Sequence, residues 1–170
     1  MAEVIASKSS THHGLYDKWT LWAHLPHDTD WTLTSYKRIY DFDTVEQAIT
    51  LTETLPEKLI KNCMLFIMRH GIQPTWEDEK NASGGCFSYK INNKNVKETW
   101  TALTYMLTGE TITNDQSLSK IINGITISPK KNFCIVKIWT NTCSHQTATI
   151  IKPFKDLIVP QGCLFKKHKA

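Results

Sequence analysis

With 170 residues, 41% of them hydrophobic and 21% charged, the chain has the balance of an ordinary globular protein and the length for one domain with a sizeable core. A net charge of +4 permits an anionic partner without demanding one. No run of 18 apolar residues is present to span a membrane, and the opening MAEVIASKSS lacks the apolar core of a secretory signal.

Residues 1–14 are small and polar and read as a flexible N-terminal tail, leaving 15–170 as a single domain. KWTLWAHL (18–25) sets Trp19, Leu21 and Ala23 against Thr20, Trp22 and His24, a period-two strand with large rings on both faces. PHDTD breaks it as a loop, and LTSYKRIYDF (33–42) is a second strand. Asp43 or Thr44 then caps a helix over TVEQAITLTETL, with Val45, Ala48, Ile49, Thr52 and Leu55 as its apolar stripe and Pro56 after its end. CMLFIMRH (63–70) is a nearly continuous apolar strand, and residues 71–85 form a loop before the strand GCFSYKI. KNVKETWTALTYMLTGE is the clearest helix, with Val96, Trp100, Leu103 and Leu107 on one side and Gly109 just past its end. NDQSLSKIIN reads as a shorter helix, and GITIS and NFCIVKIWT as a hairpin joined by PKKN. Pro153 argues against an unbroken helix in the remaining stretch, where a short strand near 163–166 fits. Strands interleaved with about three helices predict an α+β fold, an antiparallel sheet covered on one face.

The five cysteines, Cys63, Cys86, Cys134, Cys143 and Cys163, are odd in number and show no CxxC spacing. That argues against a structural zinc site or a disulfide framework and for free thiols in a reducing, cytoplasmic setting. No cofactor and no metal are expected.

The chemistry concentrates in GIQPTWEDEKNASGG (71–85), where Trp76 is followed by Glu77, Asp78, Glu79 and Lys80. An indole beside a carboxylate suits a flat, electron-poor ring carrying two adjacent N–H donors on its edge: the indole stacks on the face and the carboxylate accepts both donors. Guanine has that edge. Methylation at N7 adds a positive charge and a cation–π contribution of about 0.5–2 kcal/mol per stacked ring. Trp31 after the PHDTD turn and Trp139 at a strand end are further candidates, although a buried core ring is the readier account of any one tryptophan taken alone. Asp78, Glu79 and Lys80 shape or solvate the loop, and Gly84 and Gly85 make a tight turn.

These residues resemble the signature loop of the cap-binding translation initiation factor 4E family. HGLYDKWTLW resembles the family's opening segment, FDTVEQ its first-helix entry, ETWTALTYMLTGE the helix ending in Gly-Glu, and IVKIWT the strand carrying a third Trp. The likeness runs from about His13 to Thr142. It implies a curved antiparallel sheet of about eight strands, about three helices on the convex face, and a 7-methylguanosine cap in the concave slot. By position, Trp31 and Trp76 are implied as the stacking rings, Glu77 as the reader of the guanine edge and Trp139 as the ring beside the N7 methyl.

Two departures stand out. Ser128 and Ile135 stand near an Arg and a Lys expected for the triphosphate, and Cys86 where another Arg is usual, so the phosphate cations fall to Lys130, Lys131 and Lys137. Lys137 lies two residues before Trp139 and so shares its face. On the implied partner-binding convex face, His13 and Val45 are present, but Gly14 replaces a Pro and Ile49 a Trp, and Thr101, Ala102 and Tyr105 also differ. The expected function is capped-mRNA binding in translation initiation, without catalysis, with a scaffold or repressor helix of altered specificity as partner. A close alternative is a cap-binding repressor that does not recruit the usual scaffold. An enzyme using Glu77, Asp78 or Glu79 as acid, base or metal ligands is disfavoured, because adjacent acids on an extended loop point in different directions. A sequence-neutral single-strand binder using Trp and Lys is the third alternative.

Overall fold

The computed structural model describes residues 12–169, and the statements that follow concern those residues. Of the predicted tail, residues 1–11 lie outside them, and Gly14 already opens the first strand. The strands are β1 (Gly14–His24), β2 (Tyr36–Thr44), β3 (Met64–Arg69), β4 (Gly85–Asn92), β5 (Ile122–Pro129), β6 (Phe133–Thr140) and β7 (Leu164–Lys167). They form one antiparallel sheet in the order β2-β1-β3-β5-β6-β4-β7. The helices are α1 (Val45–Thr54), α2 (Glu57–Asn62), α3 (Glu79–Ala82) and α4 (Val96–Thr108). The α+β class is the expected one, with seven strands rather than about eight.

Period-two alternation sorts the side chains into two layers. Trp19, Leu21 and Ala23 of β1 join Leu65, Ile67, Phe87, Ile125, Ile127, Val136 and Ile138 in the large core, which also takes Leu51 of α1, Ile60 of α2 and Trp100 of α4. The opposite face carries a smaller apolar cluster of Phe66, Met68, Ile72, Cys86 and Trp139, with Trp22, Tyr36 and Met64 packed against it. β3 is apolar on both sides for this reason. Register shifts in the β1–β2 and β5–β6 ladders mark bulges, which bend and twist a sheet locally.

α1 opens with a capping box: the Thr44 hydroxyl accepts from Gln47 N while the Gln47 amide oxygen accepts from Thr44 N. Its predicted stripe divides. Ala48, Thr52 and Leu55 turn inward with Leu51, whereas Val45 and Ile49 remain 39% and 40% exposed. α4 buries Val96, Trp100, Leu103 and Leu107, as its spacing predicts. Gly109 does not take the left-handed conformation expected of it; its φ is −82°. Glu110 takes the positive φ instead, 56°, and its carboxylate forks onto the Arg69 guanidinium. Arg69 also donates to the carbonyls of Ile122 and Ser119, so the pair is buried but hydrogen-bonded throughout.

Other boundaries move. Residues 114–123 are not an α-helix: a 3-10 segment covers Gln116–Ile121, and Ile122 already pairs with Thr140 in β5. The Asp115 carboxylate accepts from Ser117 N and Oγ, closing a tight turn that the spacing resembles only loosely. A 3-10 turn at Leu33–Ser35 delays β2 to Tyr36. α2, too short to show a period, follows Pro56 directly, and the presumed loop 71–85 contains α3.

Candidate functional site

The face opposite the helices holds two adjoining recesses. The first, about 300 Å³, is lined by Trp76, Cys86, Ser88, Lys137, Trp139, Lys166, Lys167 and His168. The second, about 410 Å³, is lined by Trp31, Thr32, Leu33, Gln73, Thr75, Glu77 and Asp78. Trp76 and Glu77, adjacent in sequence, thus serve different recesses.

Trp31 and Trp76 are 60% and 54% exposed, whereas Trp19 and Trp100 are core residues. Exposed indoles on two loops at one sheet face lose apolar burial that the other tryptophans gain, which is what a stacking surface requires. Trp31 is backed by a ring: the His24 imidazole lies flat on it, while His24 Nε2 donates to the Asp30 carbonyl at 2.7 Å. The Asp30 carboxylate accepts from Thr32 N, a bond that holds its pKa below the usual range and fixes the turn before β2. Tyr36 packs edge-on to His24 and Phe66. Burial raises the Tyr36 phenol pKa, and the Glu77 carboxylate adds to that rise.

The loop that presents Trp76 and Glu77 is wired internally. Asp78 caps α3, accepting from Lys80 N and Gln73 N, each at 2.8 Å. The Asn81 side chain is fully buried and donates to the carbonyls of Gln73 and Thr75. Asn123 of β5 donates to Asn81 Oδ1 and to the Lys80 carbonyl. Gly84 is required for close approach rather than for a turn, since a Cβ there would sit 1.7 Å from the Thr140 carbonyl oxygen. Glu77 and Glu79 stay exposed, and no cluster of metal-ligating side chains occurs among the described residues.

Trp139 is 7% exposed and floors the first recess, its indole N–H donating to Thr126 Oγ1 at 2.7 Å. In the ladders Trp139 faces Cys86 of β4, and Lys137 faces Ser88 and Thr126, so Lys137 and Trp139 share the open face. Lys130 and Lys131 do not line the recess. They occupy the turn before β6, about 20 Å or more from Trp139 along the strand. Ser128 pairs with Ile135, likewise short of the recess. Lys166 and Lys167, not singled out by the sequence pattern, stand there instead. β7 pairs Lys166 with Cys86, so the alternation of LFKKH turns Lys166 and His168 to the open face and Phe165 to the core, edge-on to Phe87. That short period-two run was the available signal.

On the helix side, Leu15, Val45, Ala48, Ile49, Tyr105, Thr108 and Gly109 line an apolar recess of about 420 Å³. The Tyr105 hydroxyl is hydrogen-bonded to Thr52 Oγ1 at 2.5 Å. His13 stands beside it rather than in it: its N–H and ring contact the Glu46 carboxylate, whose pKa falls to about 2 through the His13 ring bond first. All five cysteines are free, and no helix among the described residues is long and apolar enough to cross a membrane.

Residues 14–170 match the family model described as eukaryotic initiation factor 4E. A maize protein, eukaryotic translation initiation factor isoform 4E-2, is 30% identical over 162 residues, 90% of this chain and 73% of its own length. The eukaryotic translation initiation factor 4E of Saccharomyces cerevisiae is 31% identical over 137 residues; the match covers 76% of this chain but 62% of the yeast protein, less than two thirds of it. Among solved structures, C. elegans eIF4E-3 in complex with the 4E-binding protein Mextli and cap analog superposes with a TM-score of 0.71 at 24% identity, over 79% of this chain and 77% of that one. Ascaris suum eIF4E-3 with m2,2,7G cap gives 0.69 at 23%, over 78% and 75%. At those identities the structural likeness speaks for the fold.

Proposed function

The chain belongs to the eukaryotic initiation factor 4E family, and on that premise we propose that it binds the 7-methylguanosine cap of mRNA in translation initiation, as a binding module without catalysis. The single observation that carries this reading is the exposed Trp76–Glu77 pair beside a cleft floored by Trp139 and edged by lysines. The base enters between Trp76 and Trp31, Glu77 accepts from its N1 and N2 edge, and Trp139 meets the N7 methyl. A cationic ring between two indoles gains about 0.5–2 kcal/mol at each face. Lys137, Lys166 and Lys167 take the phosphates, in preference to Lys130 and Lys131.

Titration of intrinsic tryptophan fluorescence with 7-methyl-GTP and with GTP tests the reading. Two cation–π contacts correspond to roughly a ten- to thousand-fold preference for the methylated base, with quenching of the stacked indoles. Equal affinities would end the claim, and equal affinity for uncapped RNA would favour a sequence-neutral binder.

A second reading, a cap-binding repressor that does not recruit the usual scaffold, is favoured by one observation. The convex apolar recess is shelved by Val45 and Ile49 with a hydrogen-bonded Tyr105 at its rim, and offers a partner helix no indole. Retention of a standard family scaffold peptide by the protein would count against it.

A further inference from the structure

One half-buried ring in the cleft is engaged on both ring nitrogens. His168 Nδ1 lies 2.6 Å from the Asn81 carbonyl oxygen, and Nε2 lies 3.0 Å from Cys86 Sγ. A carbonyl only accepts, so Nδ1 carries the proton and the neutral ring presents the Nε2 lone pair to Cys86. The thiol must then be the donor. Burial supports this, pushing the Cys86 thiol up to about 12, so that it keeps its proton. The His168 backbone N–H donates to the Gly84 carbonyl, and its ring centroid lies 4.9 Å from that of Trp139. The bridge therefore ties β4, the floor of the cleft and α3 together. Through Asn81 it reaches the Gln73 and Thr75 carbonyls that frame Trp76.

We propose that His168 is a positioning and specificity-determining residue: a neutral imidazole that clamps the Trp76–Glu77 loop to the cleft floor and keeps the wall beside Trp139 uncharged, so that a cationic base is accepted. The proposal rests on the cap-binding reading. Lys137 of β6 and Lys166 and Lys167 of β7 already line this cleft, Cys86 of β4 is its thiol neighbour, and α3 presents the Asn81 carbonyl from a segment that also carries Asp78, Glu79 and Lys80. Burial lowers the imidazole pKa, the bond to the Asn81 carbonyl opposes it, and Lys137 lowers it further; the net direction is down, so the neutral ring persists below its ordinary titration range. Once protonated, Nε2 could no longer accept from the Cys86 S–H and would be left with the sulfur as a weak acceptor, and a fourth positive charge would stand where the methylated base brings its own. GTP, with an uncharged base, is spared that last penalty.

The test measures 7-methyl-GTP and GTP affinities by tryptophan fluorescence for the wild type, His168→Gln and His168→Ala, from about pH 8 down to about pH 5.5. Gln reproduces one donor and one acceptor but does not titrate. At the upper pH, His168→Ala binds 7-methyl-GTP about tenfold more weakly, the loss matching two ordinary hydrogen bonds, and His168→Gln recovers most of it. On acidification the ratio of the two affinities falls in the wild type and stays level in His168→Gln. Wild-type affinity in His168→Ala, or the same acid decline in His168→Gln, would overturn the clamp while leaving cap binding intact. A wild type that does not distinguish the two nucleotides overturns the parent reading and this one with it. Should His168→Ala fail to fold, the pH comparison between the wild type and the Gln variant decides alone.

Discussion

The imidazole of His24 lies 3.9 Å from the indole of Trp31, centroid to centroid, with 3° between the ring planes. One face of Trp31 is therefore occupied by the protein itself, and a ligand ring has the other. His24 is itself fixed by its bond to the Asp30 carbonyl and by Tyr36 at its edge. Removing the backing ring in His24→Ala should cost about 0.5–1.5 kcal/mol of preorganisation, or about two- to tenfold in 7-methyl-GTP affinity. His24→Phe keeps a stacking ring and should recover most of the loss. An unchanged affinity in His24→Ala would mean that Trp31 needs no support.

Glu77→Ala and Trp76→Ala address the proposed recognition pair. Glu77 would forfeit two charge-assisted hydrogen bonds of about 1.5–3 kcal/mol each, and Trp76 a stack of about 1–3 kcal/mol. Both side chains are exposed, so the thermal midpoint should hold while binding is nearly lost. Unfolding of either variant would show a structural role for that residue instead.

Phosphate number and salt distinguish the lysine sets. If Lys137, Lys166 and Lys167 anchor the phosphates, affinity should fall from tri- to di- to monophosphate, and each Lys→Ala change should flatten the salt dependence by somewhat under one unit of slope. Lys130→Ala and Lys131→Ala should leave that slope in place, since both residues stand at the far end of β6. The reverse pattern would restore the turn lysines as the anchor.

Much of this was legible in the sequence, and the omissions share a cause. Trp19, Leu21 and Ala23 on one face of β1 and the α4 stripe follow from period, and the exposed placement of Trp76 beside Glu77 fits a loop so rich in acids; these are local properties. What escaped depends on which strands meet. Lys166 and His168 reach the cleft because β7 pairs with β4, and no spacing within LFKKH reveals that neighbour. Lys130 and Lys131 were charged and near Trp139 in sequence, but an extended strand carries such neighbours apart by about 3.4 Å per residue. Val45 and Ile49 fitted the helical stripe and stand exposed, as a partner-facing shelf requires, while Leu51, outside that stripe, is taken by the core. Glu110 in a left-handed conformation is likewise a tertiary result, held by a partner 41 residues earlier.

That ion pair gives a stability prediction. Arg69 is buried, and Glu110 supplies its principal counter-charge, with Asp17 at 3.2 Å as a more exposed second. Glu110→Ala strands the guanidinium at a cost of about 3–5 kcal/mol. For a domain of this size each kcal/mol lowers the midpoint by about 2–4 °C, so calorimetry should show a fall of about 6–20 °C. A fall of only a few degrees would mean that Asp17 and the carbonyls of Ile122 and Ser119 suffice.

The convex recess supplies the last test. Val45 and Ile49 are four residues apart on α1, so they form one shelf, which Leu15 and Tyr105 extend. An amphipathic helix can dock on such a shelf. Compared with an indole at position 49, Ile offers less contact area and lacks an N–H to donate to a partner backbone. At about 25 cal/mol per Å² of apolar contact, plus that bond, the deficit is on the order of 1–3 kcal/mol. The Tyr105 hydroxyl does not substitute for it, being already bonded to Thr52. A standard 4E-binding scaffold peptide should therefore bind at least about tenfold more weakly than it binds a relative with the indole. Ile49→Trp should recover part of the difference by calorimetric titration, with cap affinity unchanged, because the two sites lie on opposite faces of the sheet. A submicromolar complex between the unaltered chain and that peptide, lost in Val45→Asp, would refute the deficit and support ordinary scaffold recruitment over repression.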